Sequence, residues 1–193
     1  FAPSALLFYV GFNKKLTNVK HHTLFFDSDF EQHAIEIYDT ESWPEDPLFY
    51  ASFPSKTDTS FAPEGMESAT FLIPIAPGIS DSTEIREKYF SMIIKRLEDL
   101  TEQSVMDNIL FKESYCVSDF VKDYNSYKGN AYGLANTLKQ TAYLRPKIRS
   151  KKVANLYFTG QLTVPGPGVP PAIISGKIVA DLIQKFEAKR NKF

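Results

Sequence analysis

Cysteine is nearly absent from this 193-residue chain, since Cys116 stands alone. A single cysteine excludes an internal disulfide and any zinc site built from cysteines, and it is compatible with a reducing compartment. Neither sign of charge is in excess, because 22 Lys+Arg face 23 Asp+Glu and the formal net charge is -1. From that balance we expect no basic region that could neutralise phosphates, and so we predict no nucleic-acid partner. No apolar run approaches the roughly 18 residues of a membrane span.

What the chain does contain is enough apolar material for a core. Its residues are 43% hydrophobic and 14% aromatic, which excludes intrinsic disorder. With about 150 residues per domain as a prior, the length suits one domain or one and a half. The opening run FAPSALLFYVGF lacks the basic start of a signal peptide and resembles a strand. Because the chain begins with Phe inside this run, we expect a fragment whose amino-terminal part is absent.

Aromatic and β-branched segments separated by turn residues predict an antiparallel sheet. The predicted strands are residues 5–12, 21–26, 47–54, 69–74 and 109–115. The clearest helix is residues 82–101, where apolar residues recur every three or four positions and Asp81 with Glu84 has capping-box spacing. A shorter helix is expected after Ser118 as N-cap. The last helix is predicted from Pro170 or Pro171 to about residue 189. This order is typical of an α+β protein or a piece of an α/β protein.

The segment 155–181 is the most informative part of the sequence. A short apolar strand at 156–158 is followed by Gly160, a loop rich in glycine and proline, and an abrupt helix start. Such a turn directs the positive end of the helix dipole toward whatever lies over the loop, which favours an anionic group. Gly166 and Gly168 let the backbone approach a flat or phosphorylated ligand, although the spacing is not that of a G-x-G-x-x-G motif. A tight turn without any ligand explains the pattern equally well.

The loop sequence Pro-Gly-Pro-Gly-Val-Pro at 165–170 resembles the carboxy-terminal signature of the bacterial-type phytoene and carotenoid desaturase family of FAD-dependent flavoproteins. Other stretches also resemble this family and follow its order: residues 21–23, 54–58, 62–65, 119–120, 129–134 and 144–146. The resemblance therefore extends over nearly the whole chain. Two departures stand out, since many members have a histidine where this chain has Val164 and a glycine where it has Pro171.

The resemblance implies an α+β fragment of an α/β flavoprotein. Residues 1–150 would form an antiparallel substrate-binding sheet with helices, and 151–193 a strand-loop-helix segment that completes a Rossmann-like FAD domain; the amino-terminal dinucleotide-binding region would be absent. The residues implied to lie along the flavin and its tail are Gly160, Gln161, Pro165, Gly166, Gly168, Val169 and Pro170. Pro171 and Ala172 would open the helix that points at the pyrimidine edge of the flavin ring. Negative charge gathers at that edge on reduction, and a helix N-terminus stabilises it.

The implied function is FAD-dependent desaturation of an acyclic carotenoid such as phytoene, with oxygen or a quinone as the electron acceptor. A desaturase or related oxidase acting on a later carotenoid, for example a 1-hydroxylated one, is the first alternative. A flavin-free module that binds apolar ligands is the alternative from another class. Because the substrate dissolves in lipid, we expect a cytoplasmic enzyme held peripherally at a bilayer surface. No catalytic base is assigned.

His21, His22 and His33, with Asp27 and Asp29 nearby, could be interpreted as a metal cluster. Neighbouring residues on a strand point to opposite faces, so His21 and His22 should not share a metal, and we predict no metal site. Together with Tyr132, these two histidines are instead assigned to the substrate site. The aromatic residues of the predicted strands could line a substrate tunnel or fill the core: Phe8, Tyr9, Phe25, Phe26, Phe49, Tyr50 and Phe71.

Overall fold

The computed structural model describes residues 1–190, and it describes their side chains except those of 142 and 187–190. Residues 191–193, the end of the predicted segment 151–193, lie outside the described residues. The chain divides into two compact units. We call Pro3–Ala131 the sheet unit, and Tyr132–Phe193 with Phe1 and Ala2 the loop unit.

The sheet unit contains five antiparallel strands in the spatial order β2-β3-β4-β1-β5. They are β1 (Ser4–Phe12), β2 (His22–Phe25), β3 (Phe49–Ser52), β4 (Glu67–Ile75) and β5 (Ile109–Tyr115). Its helices are α1 (Phe30–Tyr38), α2 (Thr83–Thr101) and α3 (Val117–Tyr124). All five predicted strands and the antiparallel pairing are confirmed. Helix α1 was not predicted.

One face of the sheet and helix α2 enclose the core. Buried and less buried residues alternate along β4, as a strand with one covered face requires. The apolar stripe of α2 packs on this face, and Phe8 of β1 meets Phe90 of α2 edge-on, with ring centroids 5.0 Å apart. Of the aromatic residues whose role was left open, Phe8, Phe25, Phe49 and Phe71 are buried, Tyr9 and Phe26 are exposed, and Tyr50 is half-buried.

The helix caps differ from the predicted ones. Helix α2 begins after Ser82, whose hydroxyl accepts a hydrogen bond from the Ile85 N–H, so the predicted Asp81–Glu84 capping box is wrong. Helix α3 begins after Cys116 and not after Ser118. Asp81 is engaged elsewhere, because its carboxylate pairs with Arg86 at 2.9 Å and accepts from the Ser118 N–H. The side chain of Cys116 is buried and belongs to the core of the sheet unit.

The loop unit contains the long helix α4 (Val169–Arg190), which starts one residue before the predicted position. Residues 156–158 do not form the predicted strand, since their one ladder contact is an isolated bridge between Arg149 and Tyr157. Along the described part of α4, Val179 is the one buried apolar side chain. Within residues 1–190, no helix combines the length and apolar character needed to cross a bilayer.

Candidate functional site

The loop between Gly160 and Gly168 is held to α4 by one buried serine. The Gly160 N–H donates to Ser175 Oγ at 2.7 Å, and that hydroxyl donates to the Ala172 carbonyl at 2.6 Å. The buried Thr163 closes the turn, because both its N–H and its hydroxyl donate to the Gly160 carbonyl, at 3.1 and 3.0 Å. The start of the loop is therefore fixed by hydrogen bonds from its own unit.

The guanidinium group of Arg145 holds the middle of the loop by hydrogen bonds to its backbone carbonyls. Its Nε donates to the Thr163 carbonyl at 3.0 Å, and Nη2 donates to the Gln161 carbonyl at 2.8 Å. The remaining donors reach Asn136 Oδ1 at 2.9 Å and the carbonyls of Gln140 and Leu134. All five N–H groups of the guanidinium are thus used, and they join the segment 134–140 to the segment 161–163.

The loop backbone has the conformation that a close ligand contact needs. Gly160, Gly166 and Gly168 have φ values of +99°, +143° and +105°, which disfavour any side chain. A Cβ at Gly160 would meet no heavy atom within 4 Å, so the space beside it is open. Gly166 is buried, and a Cβ there would lie 3.7 Å from the guanidinium carbon of Arg145. A flat ligand would therefore find room beside Gly160.

The start of α4 offers fewer donors than its dipole suggests. Pro170 and Pro171 have no N–H, and the Ala172 N–H already donates to the Gly168 carbonyl at 3.0 Å. Among the described residues no acceptor takes a hydrogen bond from the N–H groups of Gly168 and Val169, which are therefore available to a ligand. The other assigned positions, Gln161, Pro165, Pro170, Pro171 and Ala172, are all at least partly exposed along the same segment. Their assignment to a cofactor stays a prediction.

The second face of the sheet is only partly covered within the sheet unit. Cross-strand pairing aligns one residue from each strand in what we call the apolar row: Leu24, Tyr50, Leu72, Leu7 and Tyr115. The residues two positions away along the strands align in a polar row: His22, Ser52, Thr70, Tyr9 and Glu113. With strands about 4.8 Å apart, each row is about 19 Å long. The face presents a straight apolar track beside a hydrogen-bonding one.

Aromatic side chains border this open face at β5. Tyr115 ends the apolar row and packs edge-on against Phe120 of α3, with ring centroids 4.8 Å apart. The Phe111 ring occupies the space beside Gly11, since a Cβ at Gly11 would fall 2.3 Å from that ring. Gly11 is therefore required for Phe111 to lie on this face.

His21 and His22 lie together at the end of β2. His21 precedes the strand, so the expectation that their side chains point to opposite faces is wrong, and their ring centroids are 4.1 Å apart. His21 Nδ1 is hydrogen-bonded to Thr57 and His22 Nδ1 to Tyr50, both at 2.6 Å. Tyr132, the third residue assigned to substrate, belongs to the loop unit, where burial raises the pKa of its phenol.

The remaining members of the suspected metal cluster have structural roles. His33 Nε2 is hydrogen-bonded to the Pro74 carbonyl at 2.9 Å, and its Nδ1 accepts from the Leu48 N–H. Asp29 caps α1, and Asp27 pairs with Arg96. Across the described residues, no group of three or more His, Cys, Asp or Glu side chains is arranged to hold a metal ion.

The loop unit is basic and the sheet unit is acidic, although the net charge of the whole chain is only -1. Residues 132–193 contain 11 Lys+Arg and only two acids, Asp181 and Glu187, and no acidic residue occurs between Asp123 and Asp181. The exposed cations of one stretch are Lys139, Lys147, Arg149, Lys151 and Lys152. No carboxylate in the described part of the chain pairs with any of them. The statement that net charge leaves no basic region was therefore wrong, and counting charge by halves would have found it.

The chain is similar in sequence to several known proteins. No family model matches it. It is 44% identical to a carotenoid 3,4-desaturase of Haloarcula japonica over 95% of this chain and 37% of that protein. It is 32% identical to a 4,4'-diapophytoene desaturase of Staphylococcus haemolyticus and 29% identical to a zeta-carotene-forming phytoene desaturase of Myxococcus xanthus, over 94% and 96% of this chain and 37% and 36% of those proteins.

The matched part is the carboxy-terminal portion of these relatives, and the chain spans little more than a third of their length. Because the similarity covers both the sheet unit and the loop unit, it confirms the resemblance found in the sequence: over about 95% of its length the chain is homologous to the carboxy-terminal portion of carotenoid and phytoene desaturases.

Proposed function

We propose that this chain forms the substrate sheet and the closing cofactor segment of an FAD-dependent enzyme that desaturates an acyclic carotenoid such as phytoene. The observation that carries the proposal is similarity to carotenoid desaturases over about 95% of the chain. The geometry supports it in both units, since the sheet unit has an apolar track and the loop unit has an open glycine loop at a helix start.

FAD is the proposed cofactor, and the loop fits such a group. The open space beside Gly160 admits a ring or a phosphate tail, and the N–H groups of Gly168 and Val169 suit electron-rich oxygen atoms. Gln161, Pro165, Gly166, Pro170, Pro171 and Ala172 complete the segment proposed to border the flavin. When bound, FAD supplies the two-electron acceptor for the dehydrogenation, and oxygen or a quinone is the proposed final acceptor.

The open face is the proposed carotenoid surface. An extended polyene is a rod, and the apolar row offers a straight path across all five strands. Burying apolar surface contributes about 25 cal/mol per Å², so Leu7 and Leu72 at the centre supply contact area without any directional bond. His22 belongs to the polar row and His21 lies next to it, and Tyr132 is kept as a proposed substrate contact of the loop unit.

A later carotenoid is the second candidate substrate, for example a 1-hydroxylated one. Identity is 44% to the carotenoid 3,4-desaturase but 29% to the phytoene desaturase, which favours this candidate within the same enzyme class. The polar row, with hydroxyls and His22 beside the apolar row, suits an oxygen atom on the substrate.

The test is expression of the intact gene product in a host that supplies phytoene and in a host that supplies a hydroxylated acyclic carotenoid. We expect bound flavin and a more conjugated polyene in one host, and the host that yields it identifies the substrate. A purified protein that binds carotenoid without flavin would replace the enzyme with a carrier.

The cofactor loop is tested by replacing Gly168 with Ala in that gene product. The matched control is Gly65→Ala in the sheet unit, where φ is +76° and a Cβ meets no atom within 4 Å; a Cβ at Gly168 meets Pro171 at an ordinary contact distance of 3.5 Å. Both changes carry the strain of a side chain at positive φ, about 1 kcal/mol. We expect Gly168→Ala alone to lower flavin content. Equal flavin content in the two variants would remove Gly168 from the site.

A bilayer surface with anionic headgroups is the proposed partner of the basic stretch 139–152. Its exposed cations are accompanied by exposed apolar side chains at Tyr143, Leu144 and Val153, a combination that suits a lipid interface. Each cation near an anionic surface contributes about 1 kcal/mol.

Vesicle sedimentation tests this surface. Changing Lys147, Lys151 and Lys152 to Gln should weaken binding to anionic vesicles and leave binding to neutral vesicles unchanged. The control triple, Lys88, Lys95 and Lys122 of the sheet unit, should have little effect. Equal losses in both triples would mean that net charge alone drives the binding.

A further inference from the structure

Arg145 is a buried cation whose charge is not offset by its surroundings. The residue is 3% exposed, and all its hydrogen-bond partners are neutral oxygens. No carboxylate among the described residues forms an ion pair with it. Five hydrogen bonds satisfy its donors, yet a cation out of water still favours a negative charge nearby. The loop above Arg145 therefore lies in a positive potential.

Arg145 also determines how the peptide groups of the loop are turned. It draws the carbonyls of Gln161 and Thr163 toward the guanidinium, at 2.8 and 3.0 Å. In a planar trans peptide the N–H points away from the carbonyl of the same group. The N–H groups of Leu162 and Val164 are consequently directed to the opposite side of the loop. No acceptor among the described residues takes a hydrogen bond from either of them.

We propose that Arg145 is a positioning residue of the cofactor loop: it turns the Leu162 and Val164 N–H groups outward and adds a buried positive charge, so that the loop accepts an anionic, electron-rich edge of the flavin. This inference rests on the proposed function. It assigns a role to a residue that touches no ligand, since all five donors are already used within the loop unit. Its effect on the flavin comes through the peptide groups and through the charge.

Neutralising the charge without breaking the hydrogen bonds separates this role from a purely structural one. Asn136 Oδ1 accepts from Arg145 Nη1 at 2.9 Å, so Asn136→Asp keeps the acceptor and places a carboxylate against the guanidinium. Asn155→Asp is the control, because it makes the same chemical change at an exposed residue of the same unit that does not bond to Arg145. Both variants are made in the intact gene product.

We expect Asn136→Asp to leave the unfolding temperature equal or higher, since an ion pair replaces a neutral hydrogen bond. Its flavin dissociation constant should rise about tenfold, and the flavin midpoint potential should become more negative, because the loop no longer favours added negative charge. Asn155→Asp should change neither quantity. Unchanged affinity and potential in Asn136→Asp, with flavin bound to the wild type, would overturn the inference.

Two further variants separate the positive charge of Arg145 from the five-donor geometry of its guanidinium group. Arg145→Lys keeps the charge but serves at most three of the five acceptors, so flavin should bind more weakly at a potential near that of the wild type. Arg145→Met removes both, so the potential should also fall. Equal potentials in the two variants would reduce Arg145 to a scaffold. If Arg145→Met does not fold, Asn136→Asp decides the question alone. A wild type without flavin would refute the proposed function itself.

Discussion

The interior of the sheet unit and the interior of the loop unit are stabilised by different kinds of interaction. The sheet unit has a continuous core in which strands and α2 bury large apolar side chains such as Phe71 and Ile93 completely. In the described part of the loop unit, Ile148 and Val179 are the larger apolar side chains that are buried, while Arg145, Thr163 and Ser175 are buried polar residues. Hydrophobic burial therefore organises the first unit, and hydrogen bonds to backbone carbonyls organise the second.

The difference teaches where function is to be sought in each unit. A core that is full leaves the opposite sheet face free to take a ligand, so binding there depends on which residues the strand register aligns. The loop of the second unit is held by hydrogen bonds from Arg145, Thr163 and Ser175 and not by a packed apolar core. Its conformation therefore depends on each of these three side chains. The loop unit also exposes Ile173 and Ile174 on α4, apolar surface that is suited to being covered by cofactor, lipid or another part of a longer protein.

The largest effect is expected from emptying the core of the sheet unit. Phe71 is fully buried between Phe49 and Phe53, so Phe71→Ala should lower the free energy of unfolding by about 3 to 5 kcal/mol. The matched truncation in the loop unit, Ile173→Ala, removes a side chain that is 69% exposed and should cost no more than about 0.5 kcal/mol. Chemical denaturation measures both. Similar losses would break the comparison, because they would mean that α4 packs as tightly as the sheet.

A buried polar group tests whether the sheet unit depends on packing alone. Glu67 is fully buried in β4, where it pairs with Lys56 at 3.2 Å and accepts from the Leu16 N–H at 3.3 Å and from the Ser55 hydroxyl. In Glu67→Gln the amide NH2 would face Lys56 and the Leu16 N–H at the Oε2 position, or Lys15 at the Oε1 position, so either orientation places donor against donor. We expect a loss of about 2 kcal/mol by the same denaturation measurement, smaller than that of Phe71→Ala. An unchanged free energy of unfolding would show that Lys15 and Lys56 hydrogen-bond to water in the variant and do not need the carboxylate.

Local sequence patterns were sufficient for the strands and α2 of the sheet unit, and insufficient for its helix α1 and for residues 156–158 of the loop unit. The strands and α2 were predicted because each buries one side. Apolar residues therefore alternate along the strands and recur every three or four positions along α2. The prediction at 156–158 was wrong because apolar residues need a neighbouring strand, and only Arg149 pairs there. Helix α1 was missed because its cap, Asp29, was considered as a metal ligand instead.

The sites themselves depend on contacts that a sequence does not show. The apolar row exists because register aligns five residues that are up to 108 positions apart, from Leu7 to Tyr115. The role of Arg145 depends on carbonyls 16 and 18 residues away. The glycines of the loop were identified from the sequence, because their positive φ is a property of the residue type. The charge separation is a property of the sequence alone, since 11 of the 22 Lys+Arg but only two of the 23 Asp+Glu lie in residues 132–193.

A smaller effect is expected from removing one polar contact of the loop unit. Ser175→Ala leaves the Gly160 N–H without its acceptor at 2.7 Å, which should cost about 1 kcal/mol. Flavin should be lost more readily from the intact gene product while the unfolding of the sheet unit is unchanged, and fluorescence of released flavin measures this. The control is Ser114→Ala in β5, a partly exposed serine of the sheet unit. Equal flavin loss in both variants would contradict a specific role for Ser175.

The smallest effect concerns the pH dependence of the sheet unit. Burial alone would raise the pKa of Asp81, but hydrogen bonds from Ser118 and Cys116 and the nearby Arg86 together hold it below the ordinary value of 3.8. A lowered pKa contributes stability above about pH 4, and this contribution is lost as the pH falls through the lowered value. The difference in unfolding temperature between the wild type and Asp81→Asn should therefore be constant from about pH 7 to pH 5 and shrink below pH 4. A difference that stays constant down to about pH 2 would mean that Asp81 stabilises α3 through its shape and not through its charge.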